Sequence, residues 1–194
     1  MRLLLIRHGA TKANEEGRYV GGRTEEALTE GGKRHILGEK TRGKYPSAQV
    51  LASSPMKRCL ETAKLIYERE PAIVIEEWRE INFGSFEGKN YEELRNDTCY
   101  RKWLDSNGVL PCPQGESREE FIERCSKGFV KLCGYMKAEC AETAAAVVHG
   151  GTIMAVLSSF GKGEYYDFQC KNAEGYCLEV FIDGELRIEN IQKL

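Results

Sequence analysis

None of the 194 residues belongs to an apolar run long enough to cross a bilayer as a helix, so no membrane partner is expected. The first apolar stretch is short and is interrupted by Arg7, which makes it a poor export signal. A net charge of −2 leaves no surface committed to nucleic acid or anionic lipid. The eight cysteines (Cys59, Cys99, Cys112, Cys125, Cys133, Cys140, Cys170 and Cys177) contain no C-x-x-C pair and have no histidine at zinc-finger spacing. They are therefore expected as reduced thiols that mostly fill apolar space, with the cytoplasm as compartment and no structural metal. Neither an internal repeat nor a separating linker is present, so one domain over residues 1–194 is expected. Histidine is scarce, with only three in the chain.

Two of those three stand in the same setting. Leu3-Leu4-Leu5-Ile6 runs directly into Arg7-His8-Gly9, and the apolar stretch Ala144–Val148 runs into His149-Gly150-Gly151. A buried strand ending in a cation, an imidazole and a residue without a side chain is suited to an anion. Arginine offers a planar fork of donors for phosphoryl oxygens, and histidine is a nitrogen nucleophile that is neutral near physiological pH. Glycine lets the backbone approach closely and turn. The third, His35, reads as a helix-surface residue.

The pattern along the chain alternates short apolar runs with amphipathic segments. Strands are predicted over 2–6, 49–52, 73–75 and 144–148. Helices are predicted from Thr29 to about Lys44, from Ser54-Pro55 to about Glu70, from the Ser117/Glu120 capping box to about Cys140, and over 152–160. A loop with room for a helical turn spans 10–28. Short helices are expected near 90–95 and 100–105 within an irregular stretch, 78–117, that faces the substrate. Strands over 175–182 and 186–191 flank an Asp183-Gly184 turn and read as a hairpin, whose open edge could pair with a second copy to give a homodimer. The fold class is α/β: a three-layer α/β/α sandwich, mostly parallel, with a C-terminal antiparallel hairpin. Such sheets bind ligands beyond the carboxyl ends of their strands, where both His-Gly pairs fall.

Phosphoryl transfer needs an in-line nucleophile, cations on the equatorial oxygens and an acid for the leaving oxygen. Either His8 or His149 could attack. Arg7 is adjacent, and Arg58 sits in the first turns of a helix that follows a strand, at the same sheet edge. Glu80 lies beyond the third strand and could supply the proton, although it also sits in a charged run that would suit the surface. Asn14 could contact phosphate or simply cap a helix. Trp78, Phe83, Phe86 and Trp103 could line a leaving-group pocket or pack in the core.

These motifs resemble the histidine phosphatase superfamily, also called phosphoglycerate-mutase-like, over nearly the full length. They are Arg7-His8-Gly9-Ala10-Thr11 with Asn14; Ala27-Leu28-Thr29 ahead of Gly32; Ser53-Ser54-Pro55 with Arg58 and Thr62-Ala63; Glu80 with Phe83-Gly84 and Glu87-Gly88; Gly115-Glu116-Ser117; and His149-Gly150-Gly151. The resemblance implies that His8 becomes phosphohistidine, that Arg7, Arg58 and His149 hold the phosphoryl oxygens, and that Glu80 is the acid and then the base. Asn14, Gly21, Phe83 and Gly150 complete the implied substrate-binding set, with no metal and no cofactor.

Phe83 stands where mutases of the family resemble one another in tyrosine, and Gly151 where they tend to have asparagine. The segment between Glu80 and Gly115 is shorter than the mutase insertion. These departures favour a phosphatase for a small phosphorylated metabolite. The branch most resembled acts on alpha-ribazole 5'-phosphate; broad-specificity sugar-phosphate phosphatase and phosphoglycerate mutase are the alternatives.

Overall fold

A computed structural model describes residues 1–194. The apolar runs line up as one six-stranded sheet. Its strands are β1 (Arg2–Arg7), β2 (Val50–Ser53), β3 (Ile73–Val74), β4 (Thr143–Val148), β5 (Gly175–Asp183) and β6 (Glu185–Lys193), in the order β3-β2-β4-β1-β5-β6. The β3-β2, β2-β4 and β4-β1 ladders are parallel, and β5 runs antiparallel to both β1 and β6. The hairpin thus forms as expected and extends the sheet beyond β1.

Successive side chains of a strand point to opposite faces, so a strand apolar throughout must be covered on both sides. Leu3, Leu5, Ala144, Ala146 and Val148 pack with Phe121, Phe129 and Leu132 of α6 (Arg118–Ala138) and with Ile153 and Val156 of α7 (Gly150–Phe160). Leu4, Ile6, Ala145 and Val147 pack with Ile36 of α2 (Glu30–Thr41) and with Cys59, Ala63 and Ile66 of α3 (Lys57–Tyr67). Helices on both faces make the three layers. None of these helices is long and apolar enough to cross a membrane.

Several caps read from the sequence form. Thr29 accepts the Gly32 amide at 2.9 Å, and Ser117 and Glu120 make a reciprocal capping box. The 10–28 loop holds one helical turn, α1 (Lys12–Glu15), capped by Thr11 and Asn14. In the irregular stretch, α4 (Tyr91–Leu94) and α5 (Thr98–Asp105) fold around a small core of Phe86, Leu94, Tyr100 and Cys112. The third strand is one residue shorter than expected, ending at Val74.

Two helix starts differ from expectation. The helix after β2 begins at Lys57, with Met56 as its N-cap, while the Ser54 hydroxyl accepts the Met56 amide at 3.4 Å and lies 2.8 Å from His149 Nε2. The helix after β4 begins at Gly150, two residues early, with His149 held in an extended conformation as its N-cap.

Candidate active site

The β1-β4 register determines what meets what. Arg7 pairs with Val148, and the His8 amide donates to the Val148 carbonyl at 2.9 Å, so the next residue of each strand leaves the sheet beside the other. His8 and His149, 141 residues apart in sequence, bring their ring centroids within 5.2 Å at an interplanar angle of 67°. Both are buried, at 3% and 0% exposure.

Hydrogen bonding orients each ring. His8 Nδ1 lies 2.7 Å from the Gly9 carbonyl oxygen. That oxygen can only accept, so Nδ1 carries the proton and Nε2 keeps its lone pair. Ser54 Oγ lies 2.8 Å from His149 Nε2, with Cys59 Sγ at 3.5 Å from the same nitrogen. Burial, with the Arg58 and Arg7 cations next in weight, holds His8 well below the ordinary imidazole pKa. His149 is lowered in the same direction, by burial, Arg58, His8 and Arg7. The Cys59 thiol is pushed up to about 12 by its burial, which keeps it an un-ionised neighbour.

The cations are unusual in their partners. Arg58 is fully buried, and its guanidinium donates only to the carbonyls of Thr24 (2.9 Å) and Gly21 (3.3 Å). Arg7 Nη1 donates to the Cys170 carbonyl at 2.7 Å. The Nε donors of both arginines are buried without any acceptor. A buried guanidinium with no hydrogen-bonded carboxylate is costly, and an anion would complete it. α7 adds its N-terminal end to this positive region.

Glu80 faces the same place. Its carboxylate accepts the Ile81 amide at 2.9 Å and the Gly151 amide at 3.3 Å. Desolvation raises its pKa above the ordinary value; these two amides and the arginines oppose that shift and are outweighed. A methyl group on Gly151 would overlap Glu80 Oε1 and lie 3.0 Å from the Phe121 ring. Glycine there is therefore a requirement of the carboxylate's position.

A cleft of about 340 Å³ is lined by Arg7, Asn14, Glu80, Phe83, Gly150 and Gly151, with an outer wall that includes Tyr19, Trp103, Arg118, Tyr165 and Tyr166; His8, Arg58 and His149 are buried and do not themselves line it. Asn14 Oδ1 already accepts the Thr11 amide and Asn172 Nδ2, each at 3.2 Å, which leaves its own NH2 for the cleft. Gly150 brings the helix start against the Arg7 guanidinium. Phe83 packs on Tyr19 at 5.0 Å, and Trp103 stands edge-on to Tyr19 at 5.7 Å. Trp78 and Phe86 are wholly buried in the core and take no part.

Gly21, expected among the substrate-binding residues, likewise does not line the cleft. Its carbonyl instead anchors Arg58, and a side chain on it would collide with Glu87 and the Ile81 carbonyl. Its contribution is to hold a cation.

The sequence reading gave several residues that organise this site no part in it. Ser54 orients His149, and Thr62 Oγ1 donates to the Arg58 carbonyl at 2.7 Å while accepting the Gly9 amide at 3.0 Å. Both stand inside quoted motifs, where a polar residue next to an apolar run was the available signal. Asn172 Nδ2 donates to the His8 carbonyl at 3.0 Å from 164 positions away, with no local signal at all. Arg124 pairs with Glu116 at 2.8–2.9 Å and donates to the carbonyls of Glu77 and Arg79, fixing the segment that carries Glu80. No group of three or more His, Cys, Asp or Glu side chains is gathered to hold a metal ion.

The profile of the histidine phosphatase superfamily (branch 1) matches residues 3–191, and the chain belongs to that family. It is 29% identical over 182 residues to phosphoserine phosphatase 1 of Hydrogenobacter thermophilus, covering 89% of this chain and 83% of that one. It is 27% identical over 163 residues to adenosylcobalamin/alpha-ribazole phosphatase of Salmonella typhimurium, covering 81% and 78%. Among solved structures, phosphoglycerate mutase of Thermus thermophilus superimposes with a TM-score of 0.72 at 31% identity, covering 100% of this chain and 99% of that one. The chain spans about half the length, 51%, of several longer mycobacterial relatives.

Proposed function

We propose that this protein is a metal-independent phosphomonoester hydrolase that works through a phosphohistidine on His8. The observation that carries the reading is the pair of buried arginines, each with an orphaned Nε donor, beside an imidazole whose lone pair is free. His8 Nε2 attacks phosphorus in line as the bond to the leaving oxygen breaks. Arg7, Arg58 and His149 hold the equatorial oxygens, and Asn14 adds a neutral donor. Glu80, protonated because burial favours its neutral form, passes its proton to the departing alkoxide. As a carboxylate it then takes a proton from the water that attacks the phosphohistidine. Inorganic phosphate leaves, and both residues return to their starting forms.

The fixed cations act on charge that spreads over the oxygens in the transition state, in a site that excludes most water. Each such donor is worth about 3 kcal/mol by analogy with oxyanion-hole deletions. The substrate is a small phosphorylated metabolite in the cytoplasm. Alpha-ribazole 5'-phosphate and phosphoserine are compounds for which relatives are named. Transfer to a second hydroxyl, as in a mutase, is the competing outcome.

The test is capture of the intermediate. Brief exposure to 32P-labelled substrate should leave an acid-labile, base-stable phosphoryl group on His8. His8→Ala should abolish both label and p-nitrophenyl phosphate hydrolysis, and EDTA should leave the native rate intact. Turnover that survives in His8→Ala but stops with EDTA would refute the mechanism. Conversion of 3-phosphoglycerate to its isomer in preference to hydrolysis would move the chain to the mutases.

A further inference from the structure

Arg118 lines the cleft, and nothing in the mechanism above uses it. Its guanidinium carbon lies 5.1 Å from the Tyr165 ring centre and 5.7 Å from that of Tyr166. Nη1 donates to the Asn107 carbonyl at 3.2 Å, the same oxygen that accepts the Tyr166 hydroxyl at 2.9 Å. Asn107 adopts a positive φ of 56° to present that carbonyl. The side chain is thus braced on two aromatic faces and tied at one nitrogen, with its remaining donors uncommitted.

Two comparisons show that this cation is not simply a solvated surface charge. Arg18, the other arginine in the outer wall, is neutralised by Glu16 and Glu93, each at 2.7 Å, whereas Arg118 has no carboxylate partner. Arg118 is also the first residue of α6, where the helix dipole disfavours a cation by about 0.3–1 kcal/mol and where acidic residues are usual. The two residues that follow, Glu119 and Glu120, obey that preference. An unpaired arginine held rigidly at the wrong end of a helix and inside a ligand cleft is best accounted for by an anion that meets it there.

We infer that Arg118, braced by Tyr165 and Tyr166, forms a second anion subsite that reads a negatively charged group on the leaving alcohol. This inference rests on the phosphomonoesterase reading and narrows it: substrates are phosphate esters whose alcohol carries a carboxylate or a further phosphoryl group. Arginine's planar fork suits both. A leaving group that is uncharged, such as alpha-ribazole, leaves Arg118 unmatched.

Matched substrate pairs test it. 3-Phosphoglycerate differs from glycerol 3-phosphate in having a carboxylate where the latter has a hydroxymethyl group, and fructose 1,6-bisphosphate differs from fructose 6-phosphate by one phosphoryl group. The native enzyme should prefer the charged member of at least one pair by roughly 10- to 100-fold in kcat/KM, the worth of one charge-assisted hydrogen bond. The preferred pair identifies carboxylate or phosphate as the group read. Arg118→Gln should collapse that ratio toward one, and Arg118→Lys should retain part of it.

Thermal unfolding of both variants near the native temperature would exclude a folding defect as the cause. Equal kcat/KM within both pairs, a ratio unchanged by Arg118→Gln, or a best substrate with an uncharged alcohol would each overturn the subsite while leaving His8-dependent p-nitrophenyl phosphate hydrolysis in place. Absence of that His8-dependent hydrolysis would remove both readings.

Discussion

Gly151→Ala tests the role of Glu80 without altering its charge. The added methyl would overlap Oε1 of Glu80 and press on the Phe121 ring at 3.0 Å, so the carboxyl group is the part that must yield. In moving it loses the Gly151 amide at 3.3 Å, and its bond to Ile81 at 2.9 Å is disturbed. Overpacking of this kind costs about 1–3 kcal/mol of stability. In a chain of this size that lowers Tm by about 2–4 °C per kcal/mol, so the variant remains folded.

The catalytic loss should be larger and selective. General acid catalysis contributes about 10²–10⁴-fold, and it matters most where the departing oxygen is basic. Hydrolysis of alkyl phosphates should therefore fall by about two to four orders of magnitude, and hydrolysis of p-nitrophenyl phosphate by much less. Steady-state kcat/KM over a series of aryl and alkyl phosphates measures this as a steeper dependence on leaving-group basicity. If the methyl acts only through the carboxyl group, adding Gly151→Ala to Glu80→Gln should cost little more than Glu80→Gln alone. Equal slowing across the series would refute the assignment of Glu80 as the acid, and full additivity of the two substitutions would show that the methyl does not act through the carboxyl group.

Two further outcomes follow from the buried charges. His8 and His149 are both held well below 6.5 in the fold, whereas the unfolded chain binds protons on them near 6.5. The stability tied to their neutral forms is complete above that value and falls as pH drops through it. Glu80, raised above 4.5, has the opposite sign and loses stability as pH rises from 4.5, but it opposes two histidines with one group. Urea midpoints should accordingly decline on acidification below about pH 6.5, and His8→Asn should flatten that slope. Inorganic phosphate at one hundred times its dissociation constant should add about 2.7 kcal/mol of stability. Arg58→Met should abolish that rise in Tm, and a variant that keeps it would show that Arg58 does not face the anion.

The main lines of the fold were legible because periodicity and capping chemistry are local. Buried strands read as continuous apolar runs, and Thr29 and Ser117 announced their helices. Ser54 was misread for a physical reason: a serine before proline has the same sequence signature whether its hydroxyl caps the helix or crosses to a histidine on the neighbouring strand. Only the β2-β4 register, Ser53 opposite Val147, settles the choice. Gly21 was placed in the implied substrate-binding set, and only the packed structure shows it turning its carbonyl to Arg58. Asn172 and Arg118 carried no signal, since their partners lie far away in sequence or within the same unpatterned loop. Motif reading found the residues placed at strand ends; it missed those that orient them.

Topology and electrostatics are linked in this site. A parallel β1-β4 pair in register ends both strands at one level, so two imidazoles and the Arg7 cation emerge together. β2, on the other side of β4, delivers Ser54 to the second imidazole and begins the helix that carries Arg58. Three neighbouring strands thus concentrate positive charge where the sheet and helices already exclude water, and Glu80 reaches in from the irregular stretch beyond β3. Such an arrangement lowers stability by itself, because its donors exceed its acceptors. A cluster of this composition suits an anionic ligand, whose oxygens would supply the acceptors that the buried donors lack. The depressed imidazoles and the unpaired arginines thus have one origin, the burial of cationic and basic groups at the ends of three adjacent strands.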